Sequence, residues 1–405
     1  VAFALAGSSL IMLLSMNNIS FEIISQSMVR GIDNFTLLAI PFFMLAGEIM
    51  NKGGLSRRIV RFAQSLIGFV TGGLGYVSVV ASMIFAGISG SAIADTSAIG
   101  SILFPIMRDE KYKMPKATAL IAAAGTIGPV IPPSIPMILY GVVAGVSIVK
   151  LFLGGAIPGI IIGLSLMVVW YLTSRKDGYT KVAKLSLREV WESFIDAFLA
   201  LLLPLIILGG IISGIYTPTE AAVIAVVYAF IVSTFVYKEF SIKDILPSSI
   251  ATAKGTATVM LVCGAATAAA YFITIAQIPA AMSSLLLSIS TNRYVILFLI
   301  NILLLVVGMV MDLTPALLIL APILLPVVTQ VGIDPIFFGV VMVVNLCIGL
   351  ITPPVGTVLF TACGVSREDI TGVIKNLWPY LIAMIAVLFL ITYVPQLVMW
   401  LPNAL

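Results

Sequence analysis

The chain has 405 residues, of which 61% are hydrophobic and only 9% charged; its net charge is +4 and it has no histidine. Soluble domains carry about 25% charged residues, so a mean hydropathy of +1.20 excludes a soluble fold. Absence of histidine removes the commonest metal ligand and general base, and nothing in the charge balance asks for a nucleic-acid partner.

Apolar runs long enough to cross a bilayer recur along the whole length and do not alternate as barrel strands would. The expected fold class is therefore an all-α polytopic membrane protein. The chain begins inside an apolar segment at Val1 with no cleavable signal pattern, so further residues are expected upstream. In chain order, crossing helices are expected at 1–16, 33–51, 117–147, 149–174, 194–215, 219–237, 252–276, 335–365 and 370–400. Two other apolar stretches, 73–107 and 293–329, each carry an acidic residue and small polar residues near the middle. Each is preceded by a more amphipathic segment, 55–70 and 277–291. Cys263, Cys347 and Cys363 all lie in apolar runs, which argues against a disulfide framework.

Positive charge sets the topology, because cytoplasmic loops are enriched in Lys and Arg. If 73–107 and 293–329 are re-entrant hairpins, all 21 basic residues except Arg30, Lys150 and Arg293 fall on one side. That count includes Lys176, Lys181 and Lys184 in the long basic loop 175–193. A full crossing at 73–107 would put the basic loops at 52–61 and 108–116 on opposite faces. The N-terminus is thus expected in the cytoplasm and the C-terminus outside.

The halves match. Asp95 and Pro105 correspond to Asp312 and Pro322 at an offset of 217; Gly128, Pro132 and Pro133 correspond to Gly349, Pro353 and Pro354 at 221. A collinear series of this kind marks an internal repeat: helix, surface arm, re-entrant hairpin, broken helix, helix, in two inverted copies. Such repeats are the mark of secondary transporters with a midplane site. Four regions are expected: scaffold helices and a cytoplasmic arm (1–72), the first half of a transport domain (73–174), scaffold helices and an external arm (175–292), and the second half of the transport domain (293–405).

Proline has no N–H to give the carbonyl four residues earlier. Pro132 and Pro133 should therefore free the carbonyls of Gly128 and Pro129, and Pro353 and Pro354 those of Gly349 and Leu350. A free carbonyl in hydrocarbon costs several kcal/mol unless protein, water or an ion satisfies it. Two readings stand, kinks alone or cation sites; repetition of the pair in both halves favours the second. Asp95 and Asp312, at the hairpin tips, are intramembrane carboxylates, which are expensive and usually functional. They read either as N-caps of the second arm of each hairpin or as ion-handling groups. Glu48 and Glu220 read as interhelical hydrogen-bonding residues near span ends.

The segments PFFMLAGEIMNKGGLSRRIV (41–60), SGSAIADTSAIGSILFPIM (89–107), GPVIPPSIPMILYG (128–141), YTPTEAAV (216–223) and GLITPPVGTVLF (349–360) resemble the large membrane subunit of tripartite ATP-independent periplasmic (TRAP) transporters. The resemblance covers essentially the whole chain. It implies a bacterial inner-membrane, elevator-type secondary transporter that imports a small organic acid, of the sialic acid or C4-dicarboxylate class. It implies Na⁺ as coupling ion and no other cofactor. The implied partners are a small four-helix membrane subunit (Q type) and a periplasmic substrate-binding protein (P type), within the lipid bilayer.

By the same resemblance, one Na⁺ site falls at Ser89, Gly128, Ile131 and Pro133 with Asp95 nearby, largely through backbone carbonyls. A second falls at Gly308, Gly349, Thr352 and Val355 with Asp312 nearby. The solute is expected between the tips near Ser91, Ser97, Ser134, Thr314 and Thr357. A stand-alone sodium-coupled dicarboxylate or anion transporter is the alternative, separable by whether a binding protein is needed. A membrane enzyme would require a nucleophile with a base or a metal cluster, which a histidine-free chain with isolated acids does not offer.

Overall fold

The computed structural model describes residues 1–16, 20–175, 177–179 and 186–405. The described residues are all-helical, and most helix N-termini carry a capping side chain, a proline or a glycine. The expected basic charges at Lys176, Lys181 and Lys184 lie outside the described residues.

The N-terminal third begins with α1 (Ala2–Ser15) and α2 (Glu22–Ile32), then a 3₁₀ turn at Phe35–Leu38 that runs into α3 (Ala39–Lys52). Helix α2 was not among the expected spans. It is 11 residues long and mixes Glu22, Ser25, Gln26 and Arg30 with apolar residues, so it carries no spanning signal. The amphipathic segment 55–70 forms α4 (Leu55–Ile67). The stretch 73–107 is two helices, α5 (Gly73–Ser89) and α6 (Ala92–Asp109), which fold back on each other across Gly90 and Ser91. Gly90 has φ +62°, and a Cβ there would stand 2.6 Å from the carbonyl oxygen of Pro133. Only glycine fits both the left-handed turn and that approach.

The expected helix at 117–147 is broken as the prolines require, into α7 (Met114–Gly125) and α8 (Ile135–Ala144), and α9 (Ile148–Ser174) follows. Helix α10 (Leu187–Ile212) leads to α11 (Pro218–Ile231), which ends in a π turn at Val232–Val236. Helix α12 (Ile242–Ile275) starts ten residues before the expected 252, because Ser241 and Asp244 form a reciprocal capping box. At 34 residues it is roughly 50 Å long and outreaches a hydrocarbon core of about 30 Å. It packs along α1, α2 and α3.

The second half repeats the pattern. The segment 277–291 forms α13 (Ile278–Ile289), and 293–329 folds into α14 (Arg293–Gly308) and α15 (Leu313–Gln330). The broken helix is α16 (Pro335–Gly349) and α17 (Thr357–Ser366). The expected span 370–400 is two helices, α18 (Ile370–Tyr393) and α19 (Gln396–Ala404), separated at Pro395. Both Pro132–Pro133 and Pro353–Pro354 are cis.

Long-range contacts follow the repeat. Helices α5, α6 and α7 pack together as α14, α15 and α16 do; α6 packs on α17 as α15 packs on α8; α7 packs on α18 as α16 packs on α9. Helices α7 and α16 form the centre. Residues 117–125 and 337–349 are buried throughout, and Trp170, Tyr140, Tyr380 and Phe338 fill the space around them. Both central helices end inside the bundle, so their carboxyl ends, with partial negative charge, face the breaks.

Seven helices among the described residues are long and apolar enough to cross a membrane. The arms are held differently. On α4, Arg58 bonds Asp196 at 3.1 Å and Glu239 at 2.7 Å and stacks over Tyr237. On α13 the tie is a hydrogen bond between Ser283 and Gln330.

Candidate functional site

The tip of the first hairpin begins with Ser91, the N-cap of α6, whose hydroxyl accepts from the Ala94 N–H at 3.4 Å. Asp95 is therefore inside the first turn and does not cap, contrary to the capping reading. Its side chain is fully buried. One carboxylate oxygen accepts the Ser89 hydroxyl, while Oδ2 has no hydrogen-bond partner. That oxygen faces the first break, since a Cβ on Gly128 would stand 2.2 Å from it.

The break itself is rich in unpaired carbonyls. The Ile127 carbonyl accepts from the N–H groups of Val130 and Ile131, and the Pro129 carbonyl accepts the Ser134 hydroxyl. The carbonyls of Gly128, Ile131 and Pro133 have no hydrogen-bond partner among the described residues. Ser89, Asp95 and Gly128 are thus brought together directly, and Pro133 meets the same tip at Gly90. The Ile131 side chain packs on Gly159 of α9. A buried carboxylate oxygen with nothing to bind costs several kcal/mol. Beside unpaired carbonyls, it offers what a hard cation prefers, an all-oxygen shell.

The second junction is built from the same parts and joined more tightly. Gly308 and Gly349, the last residues of α14 and α16, touch; a Cβ on Gly349 would stand 2.6 Å from the Gly308 Cα. Asp312 sits at the N-cap position of α15 but makes no capping bond, and accepts the Thr357 hydroxyl at 3.0 Å. The Gly349 and Leu350 carbonyls, expected to be free, accept from the N–H groups of Thr352 and Val358, each at 3.0 Å. The chain turns sharply enough after α16 for later N–H groups to replace those that proline lacks. The Thr352 hydroxyl donates to the Ile348 carbonyl at 2.7 Å, and the Val355 N–H donates to Met309 of the tip at 3.2 Å. Of the four carbonyls that proline frees, only that of Gly128 stays unpaired.

Between the tips lies a cleft of about 170 Å³ lined by Gly90, Ser91, Pro129, Asp312, Thr314 and Leu350. An adjoining cavity of about 150 Å³ places Ser89, Ser91 and Ser97 opposite Glu48 and Asn51 of α3 and Thr252 of α12. Ser91 lines both. Of the expected solute residues, Ser91 and Thr314 share the cleft and Ser97 lies in the second cavity. Thr357 is tied to Asp312. Ser134 is buried, with its hydroxyl spent as N-cap of α8, accepting from Met137, and as donor to Pro129. Glu48 was expected to bond another helix and bonds none among the described residues; Glu220 closes a capping box with Thr217 on its own helix. Asn51 and Thr252 were not singled out. A polar residue in an apolar run signals Glu48, but nothing local marks Thr252.

A sequence-family profile described as "Tripartite ATP-independent periplasmic transporter, DctM component" matches residues 1–397. The 2,3-diketo-L-gulonate TRAP transporter large permease protein of Escherichia coli is 44% identical over 397 residues, 98% of this chain and 93% of the relative. The sialic acid TRAP transporter large permease protein of Vibrio cholerae is 42% identical over 403 residues, 100% of this chain and 94% of the relative. In fold, the chain is similar to the YdaH transporter of Alcanivorax borkumensis, with TM-score 0.66 at 15% identity over 93% of this chain and 88% of that one.

Proposed function

The chain belongs to the DctM component family of tripartite ATP-independent periplasmic transporters, and we propose that it couples import of a small organic acid to entry of Na⁺. It is a large permease subunit, a multi-pass membrane protein and not an enzyme. In our reading a periplasmic binding protein delivers the solute, and a small four-helix membrane subunit completes the permease. The N-terminus lies in the cytoplasm and the C-terminus in the periplasm, as the basic loops favour.

The observation that carries the sodium reading is the unpartnered Asp95 Oδ2, fully buried against a break where the carbonyls of Gly128, Ile131 and Pro133 are among those left unpaired. Na⁺ there, held by Ser89, Asp95, Gly128, Ile131 and Pro133, would neutralise the carboxylate and satisfy the break. A second Na⁺ belongs at Gly308, Asp312, Gly349, Thr352 and Val355. Relatives named for 2,3-diketo-L-gulonate and sialic acid support an organic acid as cargo, in the sialic acid or C4-dicarboxylate range.

The cleft between the tips is the solute site. Leu313 and Thr314 start α15 there, and Ser91 and Ala92 start α6. These helix N-termini attract a carboxylate, with Ser91, Ser97, Thr314 and Thr357 around it and Ser134 fixing the floor. Coupling follows from geometry. The same tips bind ion and solute, so a cation that orders a tip raises solute affinity by the same factor that solute raises cation affinity. The hairpins and broken helices (73–174 and 293–405) then move as one body against the scaffold, entering and leaving the membrane on one side each, in an elevator motion.

Uptake into proteoliposomes containing this chain and its small partner subunit tests the reading. Accumulation of the acid should require both an inward Na⁺ gradient and the binding protein. Uptake with K⁺ replacing Na⁺ would refute sodium coupling; uptake without any binding protein would favour a stand-alone transporter.

A further inference from the structure

Six polar side chains line the cavity of about 150 Å³ behind the first hairpin: Ser89, Ser91 and Ser97 of the hairpin, Glu48 and Asn51 of α3, and Thr252 of α12. Thr252 is 7% exposed, and its hydroxyl oxygen is buried without a hydrogen-bond partner. Glu48, Asn51 and Ser97 make no hydrogen bond or ion pair among the described residues. Glu48 and Ser97 are half-buried and Asn51 is exposed; buried polar groups are almost always paired, so the unpaired Thr252 hydroxyl beside them marks a place where a ligand supplies the partner.

The chemistry of the lining says which part of a ligand. Among the described residues no Lys or Arg lines the cavity, and the nearby Lys52 ammonium is turned to Ser248 at 3.0 Å. The Glu48 carboxylate repels another carboxylate at close range. It accepts hydroxyl hydrogens roughly twice as strongly as a neutral acceptor does. Asn51, Ser97 and Thr252 can both donate and accept. At about 30 Å³ per water-sized group, the space holds about five such groups, a short polyol chain.

We propose that Glu48, with Asn51 and Thr252, forms a hydroxyl-reading wall on helices α3 and α12 that selects polyhydroxylated carboxylic acids over their deoxy counterparts. The carboxylate end of the solute lies in the adjoining cleft, reached past Ser91, which lines both spaces. Selectivity then resides on the scaffold side, while sodium and carboxylate are held by the hairpin tips. The inference rests on the transport reading above.

The test is stabilisation of the purified full chain in saturating NaCl by a panel of threonate, gluconate, gulonate and N-acetylneuraminate, against butyrate, hexanoate and succinate. The wild type should prefer at least one hydroxylated acid over every acid lacking hydroxyls by about tenfold or more. Glu48→Gln and Thr252→Val, both close to isosteric, should each cut that preference severalfold and leave the response to Na⁺ alone unchanged. An intact sodium response shows that each variant is folded. Unchanged preference in both variants would overturn the inference and leave sodium coupling standing. A Glu48→Gln variant with an altered sodium response would overturn it by making Glu48 a cation ligand. Preference for no hydroxylated acid in the wild type would overturn it as well. A chain that responds to neither sodium nor any acid takes the transport reading down with it.

Discussion

The two proline breaks descend from one pattern and end in different physical states. At the first, the carboxylate is sealed: Asp95 is 0% exposed and one of its two oxygens has no partner. At the second, Asp312 is half-buried and held by Thr357, the freed carbonyls have found N–H partners, and Pro354 and Val355 are exposed. The first break is unsatisfied without a ligand, whereas the second satisfies itself and keeps access to water. An inverted repeat need not give two equivalent ion sites. In this chain the first should bind more tightly, and the second should exchange more readily.

The sharpest way to break that contrast is to neutralise each carboxylate. In KCl, Asp95→Asn should raise thermal stability, because a buried unpaired charge is replaced by a neutral side chain of the same size; Asp312→Asn should change it little. In NaCl at about 100 times the dissociation constant, the wild type gains about 2.7 kcal/mol, and Asp95→Asn should lose most of that gain. Thermal melts of both variants in both salts decide this. Equal behaviour of the two variants would erase the distinction drawn here.

Glycine substitutions come next. Gly349→Ala drives a Cβ to 2.6 Å from the backbone of Gly308, and two helix ends must part. A loss of about 1–3 kcal/mol should appear in either salt. Gly128→Ala meets the Asp95 carboxylate at 2.2 Å, which can rotate away at the expense of the ion site. Its loss should therefore show chiefly as a weaker sodium midpoint in a stability titration.

The remaining effects concern the hydroxyls, and the smallest of all is that of Thr357. Ser89→Ala strips Asp95 of its remaining hydrogen bond, leaving a buried group unpaired at about 1–3 kcal/mol. Thr357→Val removes the partner of a half-buried Asp312, which water can replace, at about 1 kcal/mol or less. Denaturation in KCl should rank Ser89→Ala as the more damaging of the two.

Much of this organisation is legible in the sequence because it breaks local rules. Asp95 and Asp312 are charges in apolar runs, and paired prolines inside a helix pattern admit few explanations. The reading of 73–107 as a hairpin rests on the placement of Arg57, Arg58, Arg108 and Lys116, since charge bias reads topology where hydropathy alone cannot. Other features are invisible because they depend on packing. Nothing in the sequence tells that the N–H of Val358 returns to Leu350, or that Ser134 caps α8 and donates to the Pro129 carbonyl. The wall of Glu48, Asn51 and Thr252 joins α3 to α12 across about two hundred residues and exists only once the two helices pack together. Helix α2 escapes because 11 mixed residues give no spanning signal, yet it packs along α12.

The central claim is that the first break is a sodium site. Its most direct test is the melting temperature of the purified wild-type chain across NaCl, with KCl holding ionic strength constant. The account predicts a rise specific to sodium and saturating with concentration, which Asp95→Asn abolishes. Identical melting in the two salts, or a full sodium response in Asp95→Asn, would contradict it.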